Sequence, residues 1–371
     1  MAQALKLFFS AHKVAQVAAS IAAVYPAFNR RAFIGFSCDG LADLELMPRA
    51  QRISQGLRAY LPARYEQAVE ILMLSLGPPL SATENNGLEP FFYLPHVFFV
   101  RDYGLSHFVI SMAAQYELTQ RFTAEFSLRP YFETQYEACM PVLERWACDP
   151  NEHVRRLVSE GTRPRLPWAP KLASVIQQPQ RTAALLESLK DDTSLYVRRS
   201  VANHLNDIGK DNPDYMLRLL EGWAQDAPAP RRWLIKHALR SAVKRGNARA
   251  ISVLGFGAAP DVVVQSVALT PAKPQLGQTL LIQAALTLAS DACEPVDVLV
   301  DIKMDFPGLS GWRQKVFKVT SGLLAPGETL RLQKTISLQP MTTRTYYPGE
   351  FMFSLLVNGT PLPLTQLLIL G

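Results

Sequence analysis

Two hydrophobic periods divide this chain. Up to about residue 255 apolar positions recur every three to four residues, the spacing of one helix face; beyond residue 260 they alternate with polar ones, the spacing of a half-buried strand. Within the helical part three segments align: Val142-Leu-Glu-Arg-Trp-Ala-Cys-Asp149, Leu185-Leu-Glu-Ser-Leu-Lys-Asp-Asp192 and Leu219-Leu-Glu-Gly-Trp-Ala-Gln-Asp226, 43 and 34 residues apart. Each closes an amphipathic stretch on an acidic turn. A second stretch then opens on a basic pair, Arg155-Arg156, Arg198-Arg199 or Arg231-Arg232. The pattern predicts a helix, a turn and a helix in roughly 35–45 residues, the period of HEAT-like α-solenoids. One such unit cannot cover its own apolar face, so stacked units bury a continuous core.

The period changes at Gly255-Phe-Gly-Ala-Ala-Pro260. Val296, Val298, Val300, Ile302, Met304 and Phe306 then share one face, as do Leu330, Leu332, Ile336 and Leu338, and Phe351, Phe353, Leu355 and Val357. Ala325-Pro-Gly-Glu328, Tyr347-Pro-Gly-Glu350 and Asn358-Gly359 read as turns. About seven short strands in this stretch predict an immunoglobulin-like sandwich. The expected fold is therefore mainly α, a HEAT-like α-solenoid over residues 1–258 followed by an all-β immunoglobulin-like sandwich over residues 262–371.

Composition narrows the class. Hydrophobic residues are 48% of the chain and charged residues 19%, which suits a packed core and argues against wholesale disorder. No run reaches the ~18–20 apolar residues of a bilayer span, so a soluble protein with no membrane partner is expected. Lys6 and Lys13 interrupt the apolar N-terminal stretch, and Asn29-Arg30-Arg31 follows without a small-residue cleavage site. That start reads as an amphipathic helix rather than a secretory signal. Cys38, Cys139, Cys148 and Cys293 form no CxxC pair. Scattered thiols fit a reducing cytoplasm better than a disulfide framework or a zinc site.

The net charge is +6, and the whole excess falls in residues 129–258, which hold 20 Lys and Arg against 14 Asp and Glu. In a solenoid the second helices of successive units line one surface. The three basic pairs in register would form a stripe able to follow a phosphate backbone. Lys210, Lys236, Arg240, Lys244 and Arg245 extend it. The same arginines have a structural use, since a turn aspartate (Asp149, Asp192 or Asp226) can hold one of each pair in a ladder. Which arginine of a pair faces which way stays open.

No P-loop, GxSxG elbow, HExxH or strand-borne GxGxxG occurs, and the six histidines do not group at metal-ligand spacing. A metal- or nucleotide-dependent enzyme is disfavoured, and no cofactor is expected. What remains is Val158-Ser-Glu-Gly-Thr-Arg-Pro-Arg-Leu-Pro-Trp-Ala-Pro170, which interrupts the repeat with Glu160, Arg163, Arg165, Trp168 and three prolines. Its prolines stiffen the backbone, so Glu160 and Trp168 would be presented on a rigid loop. Glu125, at another helix–proline junction, is a second candidate acid.

The run His153–Trp168 resembles that of the AlkC branch of bacterial DNA alkylation repair glycosylases, as do Tyr196–Asp211 and Arg232–Arg240. The resemblance covers residues 1–258. The related AlkD branch generally lacks a tail like 262–371, whereas some AlkC members carry an immunoglobulin-like one. The resemblance implies a monofunctional DNA glycosylase of base excision repair, a monomer in the bacterial cytoplasm. Its substrates would be cationic alkylated bases in double-stranded DNA, 3-methyladenine and 3-methylcytosine, removed without base flipping. It also implies that Glu160 and Glu125 face the deoxyribose, that Trp168 packs on the sugar or lesion, and that Arg156 and Arg163 hold phosphates or the distorted duplex. Arg155, Arg165, Arg198, Arg199, Asn203, Lys210, Lys236, His237, Arg240 and Lys244 complete the expected DNA track. The sandwich is expected to contact DNA across from the solenoid. The alternative is a non-enzymatic repeat scaffold binding DNA or an acidic protein. An RNA-binding repeat protein is weaker still, since no aromatic code of one base per repeat occurs.

Overall fold

The computed structural model describes every residue except 1–4, 85, 290, 291, 293, 342–344 and 371. Cys293 therefore lies outside the described residues, and Cys38, Cys139 and Cys148 are free thiols. The chain forms two compact units: Met1–Met216 with Pro228–Ala238, and Leu217–Ala227 with Leu239–Gly371. No helix among the described residues is long and apolar enough to cross a membrane.

The first unit is helical, and helices continue into the second. Ahead of the aligned segments come α1 (Ala11–Val24), α2 (Arg30–Cys38), α3 (Leu46–Tyr60), α4 (Tyr65–Leu74), α5 (Leu94–Tyr103), α6 (Phe108–Thr119) and α7 (Glu125–Thr134). The aligned acidic turns end α8 (Tyr136–Ala147), α11 (Ala183–Leu189) and α13 (Pro213–Ala224). The basic pairs open α9 (Glu152–Gly161), α12 (Leu195–Asp211) and α14 (Ala229–Lys244). Between α9 and α11 lie the short α10 (Ala173–Gln177) and a 3-10 turn (Pro179–Thr182), and α15 (Ala248–Val253) ends the helical part. The second unit holds most of α13, the end of α14 and all of α15.

Capping shows why the helices start where they do. Asn151 accepts a hydrogen bond from the His153 amide at 2.8 Å, satisfying one of the orphan donors that open α9. Val154, Leu157 and Val158 then bury one face of α9, which packs on α12, α8 and α7. Gly161 permits the close approach to α7, because a Cβ there would meet the Leu128 side chain at 2.6 Å.

The second unit carries the sandwich. One sheet has strand order β1 (Val262–Thr270), β2 (Thr279–Leu288), β5 (Thr329–Ser337). The other runs β4 (Gly311–Leu324), β3 (Val296–Gly308), β6 (Gly349–Val357), β7 (Thr360–Ile369). All strand pairs are antiparallel. Val298, Val300, Ile302, Met304 and Phe306 on β3 and Phe351, Phe353, Leu355 and Val357 on β6 are buried in its core, as the alternation predicts.

The helical end of this unit is keyed to the β6–β7 turn. Asn358 Nδ2 donates to the carbonyls of Gly257 and Ala258 at 3.2 and 3.3 Å, while its Oδ1 accepts from Leu299 N at 2.7 Å. Gly359 and Gly246 both adopt positive φ and pack backbone to backbone; a Cβ on Gly246 would lie 2.7 Å from the Gly359 carbonyl oxygen. The hydrophobic period thus changes near residue 260, whereas the packing boundary within α14 falls at Ala238.

Candidate active site

Glu125 is the first residue of α7, where the positive end of the helix dipole favours a carboxylate. Glu160 lies in the last turn of α9, one turn beyond Arg156. Arg156 spans the two: Nη1 donates to Glu125 Oε2 at 3.1 Å, and Nη2 is 3.4 Å from Glu160 Oε1. Thr123 also donates to Glu125 Oε2, at 2.7 Å. Glu160 is held on every side, by Arg163 Nη1 on Oε1 at 2.6 Å and by Ser200 Oγ on Oε2 at 2.5 Å. Beneath the Arg156 guanidinium lies the Tyr196 ring, 4.9 Å from Cζ to centroid, with His153 edge-on to that ring.

Both carboxylates are buried, yet their environments push them apart. Burial pushes the Glu160 carboxyl up, but Arg156, then Arg163, with the Ser200 hydrogen bond, outweigh it and hold the pKa below the ordinary value. Burial wins at Glu125: its pKa is raised, Arg156 opposing and the neighbouring Glu160 charge adding to the rise. Burial also works against the Arg156 charge, but Glu160 and Glu125 together hold its pKa above normal. One acid is therefore held ionised, with a donor on each oxygen. The other has a raised pKa, and no described residue donates to its Oε1.

Glu125, Arg156, Glu160 and Tyr196 line a cavity of about 380 Å3 with Phe91, Phe122, Phe126 and Trp168. Trp168 is 63% exposed and has φ +63°, the left-handed region that a bulky residue occupies at a cost of about 1–2 kcal/mol. An exposed aromatic held in that conformation gains little from burial in return. Its loop is tied down by Arg165, whose Nε and Nη2 donate to Asp211 at 2.6 and 2.5 Å.

Comparison with known proteins is consistent along the whole chain. Residues 263–370 match a family model described as the uncharacterised protein YhaZ, C-terminal Ig-like domain. Over 357 residues the chain is 32% identical to the uncharacterized protein YhaZ of Bacillus subtilis strain 168, covering 96% of each. It is also 38% identical, across 99% of both chains and with a TM-score of 0.91, to Pseudomonas fluorescens alkylpurine DNA glycosylase AlkC, solved bound to DNA containing an abasic site analog. The chain belongs to the AlkC family.

The arginine pairs of this AlkC-family chain divide their labour by position. Arg155 Nε and Nη2 grip Asp192 at 2.6 and 3.0 Å, and Nη1 reaches the Asp149 carbonyl at 2.8 Å. Arg198 donates to the Asp192 carbonyl, and Arg231 forks onto Asp191. The first arginine of each pair thus joins a ladder, with Asp191 rather than Asp226 serving Arg231. Arg155 and Arg198 both donate to acceptors within the protein. Arg163 is 8% exposed and bridges Glu160 to Asp207, 2.7 Å from Nη2. Arg165 is turned onto Asp211 as above. The second arginine points elsewhere, Arg156 into the site and half-exposed Arg199 toward Glu84 at 3.6 Å.

Asn203 and His237 face each other, Oδ1 to Nε2 at 3.3 Å, with Trp233 stacked on the imidazole. Lys210 is bound to Asp207 at 2.7 Å, and Lys236 is exposed. Arg240 and Lys244 lie on the part of α14 that belongs to the second unit. Sequence reasoning missed Thr123, Tyr196, Ser200 and Asp207. The available signal was spacing: Ser200 and Asp207 stand 40 and 44 residues, one repeat, beyond Glu160 and Arg163.

Proposed function

We propose that this chain is a DNA glycosylase that hydrolyses the N-glycosidic bond of cationic alkylated bases in double-stranded DNA. The observation that carries the reading is the pair of buried glutamates sharing Arg156 at a cavity rimmed by an exposed, strained tryptophan. An N3-alkylated base already bears positive charge. When the C1′–N bond breaks, both bonding electrons leave with the base and neutralise it, so no general acid is needed. Positive charge then builds on the deoxyribose. A preorganised carboxylate stabilises it more strongly in a buried site than in water, an effect worth about 10²–10³ in rate per group.

Glu160, hydrogen-bonded on both oxygens and held ionised, supplies fixed negative charge. Glu125 lines the cavity and accepts a proton from the water that adds to C1′, a task favoured by its raised pKa. Trp168 offers an aromatic face to the lesion or sugar, where its quadrupole favours a cation. Substrates are 3-methyladenine and 3-methylcytosine, excised without flipping and without metal or nucleotide. Arg199, Asn203, Lys210, Lys236, His237, Arg240 and Lys244 track the DNA, and the protein works as a monomer on cytoplasmic DNA over an N-terminal HEAT-like domain of residues 1–258.

The test is release of free base from methylated duplex DNA in chelator, with Glu125→Gln and Glu160→Gln alongside. The reading expects release by the parent and loss by orders of magnitude in both variants while DNA binding persists. DNA binding with no base released by the parent would instead leave a repeat scaffold.

A further inference from the structure

Glu125, Arg129 and Glu133 stand four residues apart and so share one face of α7. Arg129 is 4% exposed, and its guanidinium contacts three backbone carbonyls: Nη1 donates to Gly161 at 3.3 Å and Arg163 at 2.7 Å, and Nη2 to Pro170 at 2.5 Å. One turn on, Glu133 accepts from Ser174 N at 3.1 Å and Ser174 Oγ at 2.6 Å. The helix that begins with a site carboxylate thus grips both ends of the segment 161–174, and Trp168 lies between the grips.

That segment has little means of holding itself. Pro164, Pro167 and Pro170 carry no N–H, so three donors are missing where the backbone must turn sharply. Its internal bonds are few, Leu172 N to the Pro164 carbonyl at 3.0 Å and a long Ala169 N to Leu166 contact at 3.4 Å. Buried carbonyls need donors from elsewhere, and a guanidinium supplies several in a fixed plane. Burial pushes the Arg129 pKa down to about 10, with Glu125 opposing, which leaves it charged at neutral pH.

We propose that Arg129 is a positioning residue that holds the Trp168 loop in register with Glu125, so that the aromatic face and the carboxylate meet the same sugar. The proposal rests on the reading that Trp168 faces the substrate. A lysine cannot span three carbonyls at once, so Arg129→Lys keeps the charge and loses the clamp.

The experiment has two arms on the full chain. In the first, protein labelled with 5-fluorotryptophan is examined by fluorine NMR, the Trp168 resonance being assigned with Trp168→Phe. Arg129→Lys is expected to shift or broaden that resonance alone. In the second, single-turnover base release is measured in a double-mutant cycle. Arg129→Lys is expected to slow release about 10–100-fold in the parent, the scale of an ångström misplacement, with DNA affinity changed less than about threefold. In a Trp168→Ala background it should slow release less than about threefold. Glu133→Gln, a milder change, should act in the same direction.

An unmoved Trp168 resonance in folded Arg129→Lys, or equal slowing in both backgrounds, overturns the proposal. Should Arg129→Lys fail to fold, Glu133→Gln decides by the same two readouts. A parent that releases no base defeats the glycosylase reading, while the fluorine arm still decides the clamp.

Discussion

Replacing Glu160 by glutamine keeps the shape of the side chain and removes one charge from a site where three groups depend on it. Arg163 retains Asp207 and Arg156 retains Glu125, so neither guanidinium is stranded. The stability cost is therefore set by weakened charge-assisted hydrogen bonds, about 1.5–3 kcal/mol, well short of unfolding an ordinary domain. The kinetic cost is larger in consequence, because fixed negative charge opposite a forming oxocarbenium ion is worth ~10²–10³ in rate. A second effect distinguishes this explanation from general damage. The Glu160 charge raises the Glu125 pKa, and Arg156 lowers it. Burial still raises the Glu125 pKa once Glu160 is neutralised, but the Glu160 contribution to that rise is gone, so the pKa falls relative to the parent. If ionised Glu125 accepts the water proton, activity is lost as pH drops through that pKa, and the acid limb of the profile must move to lower pH in the variant. The assay is single-turnover release of 3-methyladenine from pH 4.5 to 8, with folding checked at each point. A rate within about threefold of the parent, or an acid limb that stays put or moves up, refutes the reasoning.

Arg155→Gln should cost about 3 kcal/mol by leaving Asp192, 4% exposed, without its fork, seen as a lowered denaturation midpoint with little change in release by the folded fraction. Arg199→Gln should do the reverse, leaving the midpoint alone while weakening DNA binding and reducing its salt slope by about one. Trp168→Gly relieves a positive φ, so it should leave thermal stability unchanged or raised while release falls at least about tenfold; a large loss of stability with activity intact would contradict both parts. Burial pushes His96 and His204 down to about 4. Their contribution is complete above the unfolded pKa near 6.5 and is lost as pH falls toward 4, roughly 2 kcal/mol at most for each between pH 6.5 and 5. Denaturant titrations of the parent and His204→Gln should show a shallower pH slope in the variant.

The legible features were local ones. Amphipathic spacing and a basic pair within one turn mark α9, α12 and α14, because the core face of each helix is written in its own residues. The β3 and β6 alternations read correctly for the same reason. Glu160 and Trp168 stood out against the repeat and Glu125 at a helix–proline junction, and all three line one cavity. What stayed hidden depends on neighbours. Arg155 and Arg156 are adjacent in sequence, yet one meets Asp192 of the next repeat and the other meets Glu125 on α7, two helices back. Pattern within one unit cannot say which turns where. Ser200 and Tyr196 enter the site from across a helix pair, and nothing in their own surroundings announces it. The left-handed backbone at Trp168 carries no glycine to betray it.

The contact between Gly246 and Gly359 bears on how this chain can be divided. Two backbones touching without side chains leave nothing to trim and nothing to repack. A chimera joined near residue 260, where the hydrophobic rhythm changes, would part the sandwich from the surface it was moulded against. Exchange of the tail between relatives should instead carry the end of α14 and all of α15 along, together with Leu217–Ala227 of the same unit.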